Sequence, residues 1–240
     1  MPVVGALPVL STLALRGALQ RLAADAQDVV GTRIDADFAP TLGLLDRLRA
    51  KEAADLVILT REGLDQLAEE GLVAAATRTD LARSYVGVAV KAGSPHPDIA
   101  SEAALRTTLL AARSVAYSRI GASGILFAQL IERIGIAAEI NAKAIVVPTS
   151  LTAERLVTGE ADLAVQQISE LKQVAGIEVI GPLPLTLQLP AIFSAGLMAA
   201  SAHVGEAERL LRYLASSAAA PALVEAGLEP CFQGLAPPRS

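Results

Sequence analysis

Along the whole chain, short apolar runs of strand length alternate with Ala/Leu-rich stretches whose charges recur at helical spacing. Continuous runs of Val, Ile and Leu suit strands covered on both faces, and a 3.6-residue period suits helices lying against them. That alternation predicts an α/β fold of mostly parallel sheets flanked by helices. With 240 residues, 52% of them hydrophobic, and a net charge of −5, the chain has the apolar content to fold and too little charge to stay disordered. Its length suits one large or two small domains. Acidic residues outnumber basic ones by 25 to 20, and three Tyr and four Phe leave little to stack on bases. No nucleic-acid partner is expected.

The pattern assigns strands to residues 3–10, 29–38, 54–60, 85–91, 114–117, 143–147, 162–166, 177–180 and 191–197. Helices fall at 13–24, 42–50, 61–70, 101–112, 122–134, 151–158, 169–173, 206–215 and 221–226. Gly71 and Gly135 stand where two of these helices should stop. Residues 230–240 read as a frayed tail. Two places suggest that the chain changes lobe: the step at Arg83-Ser84-Tyr85 and the Pro-rich stretch 181–190. If both are crossings, residues 1–82 and 193–240 form one lobe and 83–192 the other. A ligand cleft between the lobes is then expected at the carboxyl ends of strands.

Several chemistries are excluded. Cys231 is alone, so no internal disulfide, cysteine zinc site or CxxC pair can form. His96 in a Pro-rich loop and His203 in a small polar stretch read as solvated, and no metal site is expected. No Gly-x-Gly-x-x-Gly or P-loop string occurs, and no cofactor is expected. Gly121-Ala122-Ser123-Gly124 lacks the spacing of a nucleophile elbow, and Glu69-Glu70 reads as a solvated helical face. No run of eighteen apolar residues is free of charge, Gly or Pro, so no membrane insertion is expected.

Four strand-to-helix loops end in small residues and hydroxyls: Ser11-Thr12, Ala39-Pro40-Thr41, residues 118–123 with Gly121 and Gly124, and Pro148-Thr149-Ser150. Each directs free backbone N–H groups and the positive end of a helix dipole beyond the sheet edge, which is anion-binding chemistry. Taken singly, each is also an ordinary N-cap. Only convergence of the four makes a site.

The order Leu10-Ser11-Thr12 ahead of Gly17-Ala18-Leu19, Phe38-Ala39 before Thr41, residues 53–58 (Ala-Ala-Asp-Leu-Val-Ile), residues 121–125 (Gly-Ala-Ser-Gly-Ile) and residues 159–167 (Gly-Glu-Ala-Asp-Leu-Ala-Val-Gln-Gln) resembles the periplasmic molybdate-binding proteins, type II solute-binding proteins of ABC importers. The resemblance runs from about residue 3 to 230. It implies a two-lobed type II periplasmic-binding-protein-like fold and a small oxyanion held by neutral hydroxyls, backbone amides of four loops and one tyrosine. On this sequence those positions fall at Ser11, Thr12, Thr41, Ser123, Thr149 and Ser150, with Ser118 in the same loop as Ser123.

Two departures shift the expected ligand. The tyrosine position is Gln166, with Gln167 beside it. Arg16, one turn into the first helix, and Arg119, in the 118–121 loop, bring guanidinium groups that suit a bidentate grip on carboxylates. The expected ligand is therefore a small anion, either a molybdate-type oxyanion or a small di- or tricarboxylate. The alternative function is a cofactor-independent isomerase of an unsaturated polycarboxylate, resembling aconitate isomerases of the same fold. Its candidate groups are Tyr117, Ser118 and Arg119, and none has an activating base next to it in the sequence. Pro2 and Pro8 interrupt the first apolar run and the first charge is Arg16, unlike a secretory leader. The expected location is cytoplasmic if Met1 is the native start, and periplasmic, with an ABC permease as partner, if a leader was removed.

Overall fold

The computed structural model describes residues 5–231. In chain order the elements are β1 (Leu7–Thr12), α1 (Leu13–Val30), β2 (Ile34–Ala39), α2 (Thr41–Arg49), β3 (Leu56–Thr60), α3 (Arg61–Glu69), β4 (Thr79–Ser84), β5 (Val86–Lys91), α4 (Glu102–Ala111), β6 (Val115–Tyr117), α5 (Ala122–Arg133), α6 (Ala137–Ala142), β7 (Ala144–Val146), α7 (Glu154–Val157), β8 (Leu163–Gln167), α8 (Ile168–Leu171), β9 (Ile177–Pro182), β10 (Ala191–Leu197), α9 (Val204–Leu214), α10 (Ala220–Glu225) and β11 (Glu229–Pro230). Contacts within the chain divide it into two compact units. Of the described residues, the first comprises 5–39, Leu44–Arg83 and 192–231; the second comprises Pro40–Gly43 and Ser84–Ala191.

The first unit holds a six-stranded sheet in the order β11-β4-β10-β3-β1-β2. β1 runs parallel to β2 and β3, while β10 lies antiparallel to β3 and β11 antiparallel to β4. β3 is buried along its whole length, as its unbroken Leu-Val-Ile-Leu run requires of a strand covered on both faces. On one face Leu10, Val57 and Leu59 pack with Leu44, Leu45, Leu48, Leu64 and Leu67 from α2 and α3. α1 packs against α9 and α10. It extends to Val30 because Leu22, Ala26 and Val30 continue its buried stripe. Gly31 then closes it at φ 79, its N–H bonded to the Gln27 carbonyl, an αL cap in which any Cβ is strained.

The second unit holds a five-stranded sheet, β7-β6-β8-β5-β9. Its two faces are made by a period-2 division of side-chain size. Val86, Val88 and Val90 of β5, Val115 and Tyr117 of β6, and Leu163 and Val165 of β8 share one face with Leu105, Leu109, Phe127, Leu130 and Ile131. The intervening Ala89, Ala116 and Ala164 face Ala153, Leu156 and Leu171 on the other. Each large apolar side chain so buried contributes roughly 1.5–3 kcal/mol, and the alanine face lets the short α7 and α8 approach the sheet closely.

The α/β class holds, but the sheets are mixed rather than mostly parallel. β5 pairs antiparallel with β8 and β9, and β10 antiparallel with β3. Periodicity is the same for either strand direction, so direction was not legible locally. Residues 29 and 30, read as the start of a strand, end α1, and β2 begins only at Ile34. β4 was not foreseen, because Asp80 interrupts its apolar pattern; its carboxylate is paired with the Arg61 guanidinium and accepts a hydrogen bond from the Ser194 hydroxyl. The helix expected at 151–158 contracts to α7. His203 is not simply solvated: its Nδ1 lies 2.8 Å from the buried Asp55 carboxylate. Residues 1–4 of the region expected to contain the first strand, and 232–240 of the expected tail, lie outside the described residues.

Candidate functional site

In the first unit, the parallel register pairs Thr12 with Ala39 and Ser11 with Ile58. The carboxyl ends of β1, β2 and β3 therefore reach the same sheet edge, where α1, α2 and α3 begin. Each helix start presents unsatisfied N–H groups and positive dipole there. The two threonine caps of this edge behave differently. Thr60 Oγ1 accepts from Gly63 N at 3.3 Å, an ordinary cap of α3. Thr12 also occupies the N-cap position, of the 18-residue α1, with extended backbone, but its side chain makes no cap bond. Its Oγ1 is buried with no hydrogen-bond partner among the described residues. Leaving such a group unpaired costs roughly 1–3 kcal/mol.

Beside it, the fully buried Ser11 donates its hydroxyl to the Thr12 carbonyl at 3.2 Å, and Arg16 is half-buried in the first turn of α1. Arg61, directly after the Thr60 cap, was not singled out by the sequence. Its guanidinium is committed to Asp80. Burial opposes ionisation of Asp80, but the bonds from Arg61 and Ser194 outweigh it and hold the carboxyl below its ordinary range.

In the second unit, β6 leads through residues 118–121 into α5. Ser118 is buried, and its Oγ accepts from Ile120 N and Gly121 N, both at 3.3 Å. Ser123 is buried in the first turn of α5, whose N-cap Gly121 has no side chain to cap with. Gly124 is required: a Cβ there would sit 1.5 Å from the Ser118 carbonyl oxygen. The Pro40–Gly43 segment meets this loop through Leu42 N and the Ile120 carbonyl at 3.2 Å, which places the buried Thr41 beside it.

Tyr117 points into the core, edge-on to Phe127 with ring centroids 5.1 Å apart. Its hydroxyl donates to Asn141 Oδ1 at 2.6 Å, and Arg119 Nη2 donates to the same oxygen at 3.1 Å. Asn141, on α6, thus joins Tyr117 to Arg119; nothing in the sequence pattern marked it. Arg119 is exposed, its guanidinium 6.0 Å from the Tyr117 ring centre.

The β7–α7 connection differs from expectation. Thr149 is exposed and Ser150 half-buried, both ahead of the shortened helix. The buried hydroxyl is Thr152, which together with its own backbone N–H binds Gln166 Oε1. Gln166 is only 2% exposed. Its neighbour Gln167, on the opposite face of β8, is 1% exposed and carries a buried Oε1 with no partner among the described residues. Glu170, the third residue of α8, is an acid only 8% exposed. Among the described residues no three His, Cys, Asp or Glu side chains group in a way that could hold a metal ion, and no helix is long and apolar enough to cross a membrane.

Residues 7–229 match the model of the bacterial extracellular solute-binding proteins. The chain belongs to this family. A curated relative, an aconitate isomerase from a Pseudomonas species, is 36% identical over 230 residues, 93% of this chain and 87% of the relative. Among solved structures, the periplasmic molybdate-binding protein of Azotobacter vinelandii superposes with a TM-score of 0.78 at 17% identity, covering 92% of this chain and 98% of that one. The sulfate-binding protein of Mycobacterium tuberculosis gives 0.74 at 16% identity, covering 94% and 87%. The fold of this solute-binding protein is thus that of two-lobed periplasmic binding proteins.

Proposed function

We propose that this solute-binding protein takes an unsaturated tricarboxylate and interconverts its cis and trans forms, as an aconitate isomerase. The observation that carries this reading is the 36% identity to an aconitate isomerase across nearly the whole chain, twice that to the molybdate-binding structure. Support from each unit is chemical. In the first, the start of α1 with its buried Thr12 hydroxyl, unpartnered among the described residues, suits a carboxylate oxygen, and Arg16 is a guanidinium of the kind that grips carboxylates. In the second, taken by itself, the start of α5 with Ser123 and the Thr41 segment suit carboxylate oxygens, and Arg119 is a further guanidinium. Thr149 and Ser150 contribute least, since the buried donor of their loop is Thr152.

The reaction is a proton shift across an allylic unit. A base removes a proton from the methylene carbon, the electron pair and the double bond move one carbon along, and a proton returns to the former vinylic carbon; no atom is gained or lost. We assign the base to Glu170, the buried carboxylate in the turn of helix that follows Gln166-Gln167, because a carboxylate is a side chain that can take a carbon-bound proton and return it. Ser118, whose oxygen accepts two N–H groups, keeps a hydroxyl to donate to the developing charge. Tyr117, committed to Asn141, supports Arg119 instead of moving the proton.

A second reading, a receptor for a molybdate-type oxyanion that delivers it to an ABC permease, is favoured by the family match. Proton NMR of trans-aconitate incubated with the purified protein separates the two, alongside calorimetric titration with both aconitates, citrate, molybdate and sulfate. Conversion to the cis form is expected. Molybdate binding without conversion overturns the isomerase and leaves the receptor.

A further inference from the structure

The Gln166 amide has a fixed direction. Its Oε1 lies 2.8 Å from Thr152 N and 3.0 Å from Thr152 Oγ1. A backbone N–H can only donate, so the atom that faces it must be the amide oxygen, which settles the O/N assignment of the side chain. Nε2 and its two hydrogens then make no hydrogen bond among the described residues, although the residue is almost wholly buried. Thr152 itself is held firmly: it has no exposed surface and lies between the buried Leu151 and Ala153, and its hydroxyl also reaches the Val165 carbonyl at 3.4 Å.

We propose that Thr152 is a positioning residue: by occupying Gln166 Oε1 it leaves only the amide hydrogens of Gln166 for the ligand, so that this position accepts ionised carboxylate or oxyanion oxygens and rejects groups that bring their own hydrogen. The inference rests on the reading that Gln166 touches the anion. It adds to that reading the reason a glutamine, which has both a donor and an acceptor end, acts here as a donor alone. An amide free to rotate would present its oxygen to the anion part of the time, and an acceptor facing an acceptor repels.

The test compares Thr152→Val, Thr152→Ser and Gln166→Glu with the unaltered protein. The readouts are the affinity for trans-aconitate by calorimetry and the Gln166 side-chain amide signals in ligand-free 15N-labelled protein, assigned by their loss in Gln166→Glu. Valine keeps the volume and the backbone donor and removes one of the two anchors. Its dissociation constant should rise about tenfold, the scale of one hydrogen bond to a charged ligand, while the amide signals shift and broaden. Serine should restore both. Gln166→Glu retains the oxygen that Thr152 binds but turns the ligand face anionic, and should weaken binding by about a hundredfold or more. Unchanged amide signals in Thr152→Val, or failure of Thr152→Ser to restore them, overturns the positioning role whatever the ligand proves to be. Absence of aconitate binding by the unaltered protein, with the signals responding as described, overturns only the functional reading.

Discussion

Gly124 packs against the backbone of Ser118 so closely that a Cβ on residue 124 would lie 1.5 Å from the Ser118 carbonyl oxygen. The start of α5 and the loop that feeds it are therefore one unit, set by the missing side chain. Gly124→Ala forces the two backbones apart and should cost at least about 3 kcal/mol, seen as a melting temperature lower by about 10 °C. A melting temperature within about 2 °C of the parent would refute the close contact.

The contrast between Thr12 and Thr60 makes a paired prediction. Thr60→Val removes a cap bond to Gly63 and should destabilise by about 1 kcal/mol, with ligand affinity retained. Thr12→Val removes a buried hydroxyl that has no protein partner, so ligand-free stability should be unchanged or higher, while affinity for trans-aconitate falls about tenfold. Denaturant melts and calorimetry on both variants check this. A stability loss in Thr12→Val equal to that in Thr60→Val would show an ordinary cap.

Glu170→Gln should separate binding from turnover. The amide cannot take up the methylene proton, so kcat should fall by about a hundredfold or more while KM stays within about threefold. Equal losses in the two quantities would mark Glu170 as a structural acid.

Arg119→Ala should raise KM for trans-aconitate about tenfold or more through loss of a charge-assisted hydrogen bond. Asn141→Leu, which frees Arg119 without removing its charge, should have a smaller effect in the same direction. If Arg119→Ala leaves KM unchanged, the carboxylate clamp lies elsewhere.

Asp55 supplies a pH dependence. Its carboxylate is buried, which opposes ionisation, but it accepts from Ser201 Oγ, His203 Nδ1 and the backbone N–H groups of Ala202 and His203, and these hold its pKa below the ordinary value. A depressed carboxyl contributes stability that is complete above the unfolded value, about 4, and is lost as the pH falls through the folded value. Stability should therefore decline on acidification below about pH 4, and Asp55→Asn should flatten that limb. Urea melts from pH 7 to 3 measure it, and an unaltered acid limb in the variant would remove Asp55 from the account.

What the amino-acid order determined by itself is what neighbours along the chain control. The unbroken apolar run of β3, the amphipathic stripes of α3 and α9, and glycine at helix ends are local patterns, and they carried the α/β class. The hydroxyls at the helix starts Thr12, Thr41 and Ser123 were also legible, because a hydroxyl or glycine ahead of an apolar-periodic stretch has the same meaning in any fold. Tertiary structure decided matters that depend on partners far away in sequence. Strand direction at β5 and β10 is invisible to periodicity. Asp80 of β4 finds its partners in Arg61, 19 positions away, and Ser194, 114 positions away. Thr12 and Thr60 look alike as caps, and only packing leaves one hydroxyl bonded and the other not. Among the hydroxyls of residues 149–152, Gln166 selected Thr152, because a side-chain amide buried on β8 needs a donor at that distance and no local pattern states which residue supplies it.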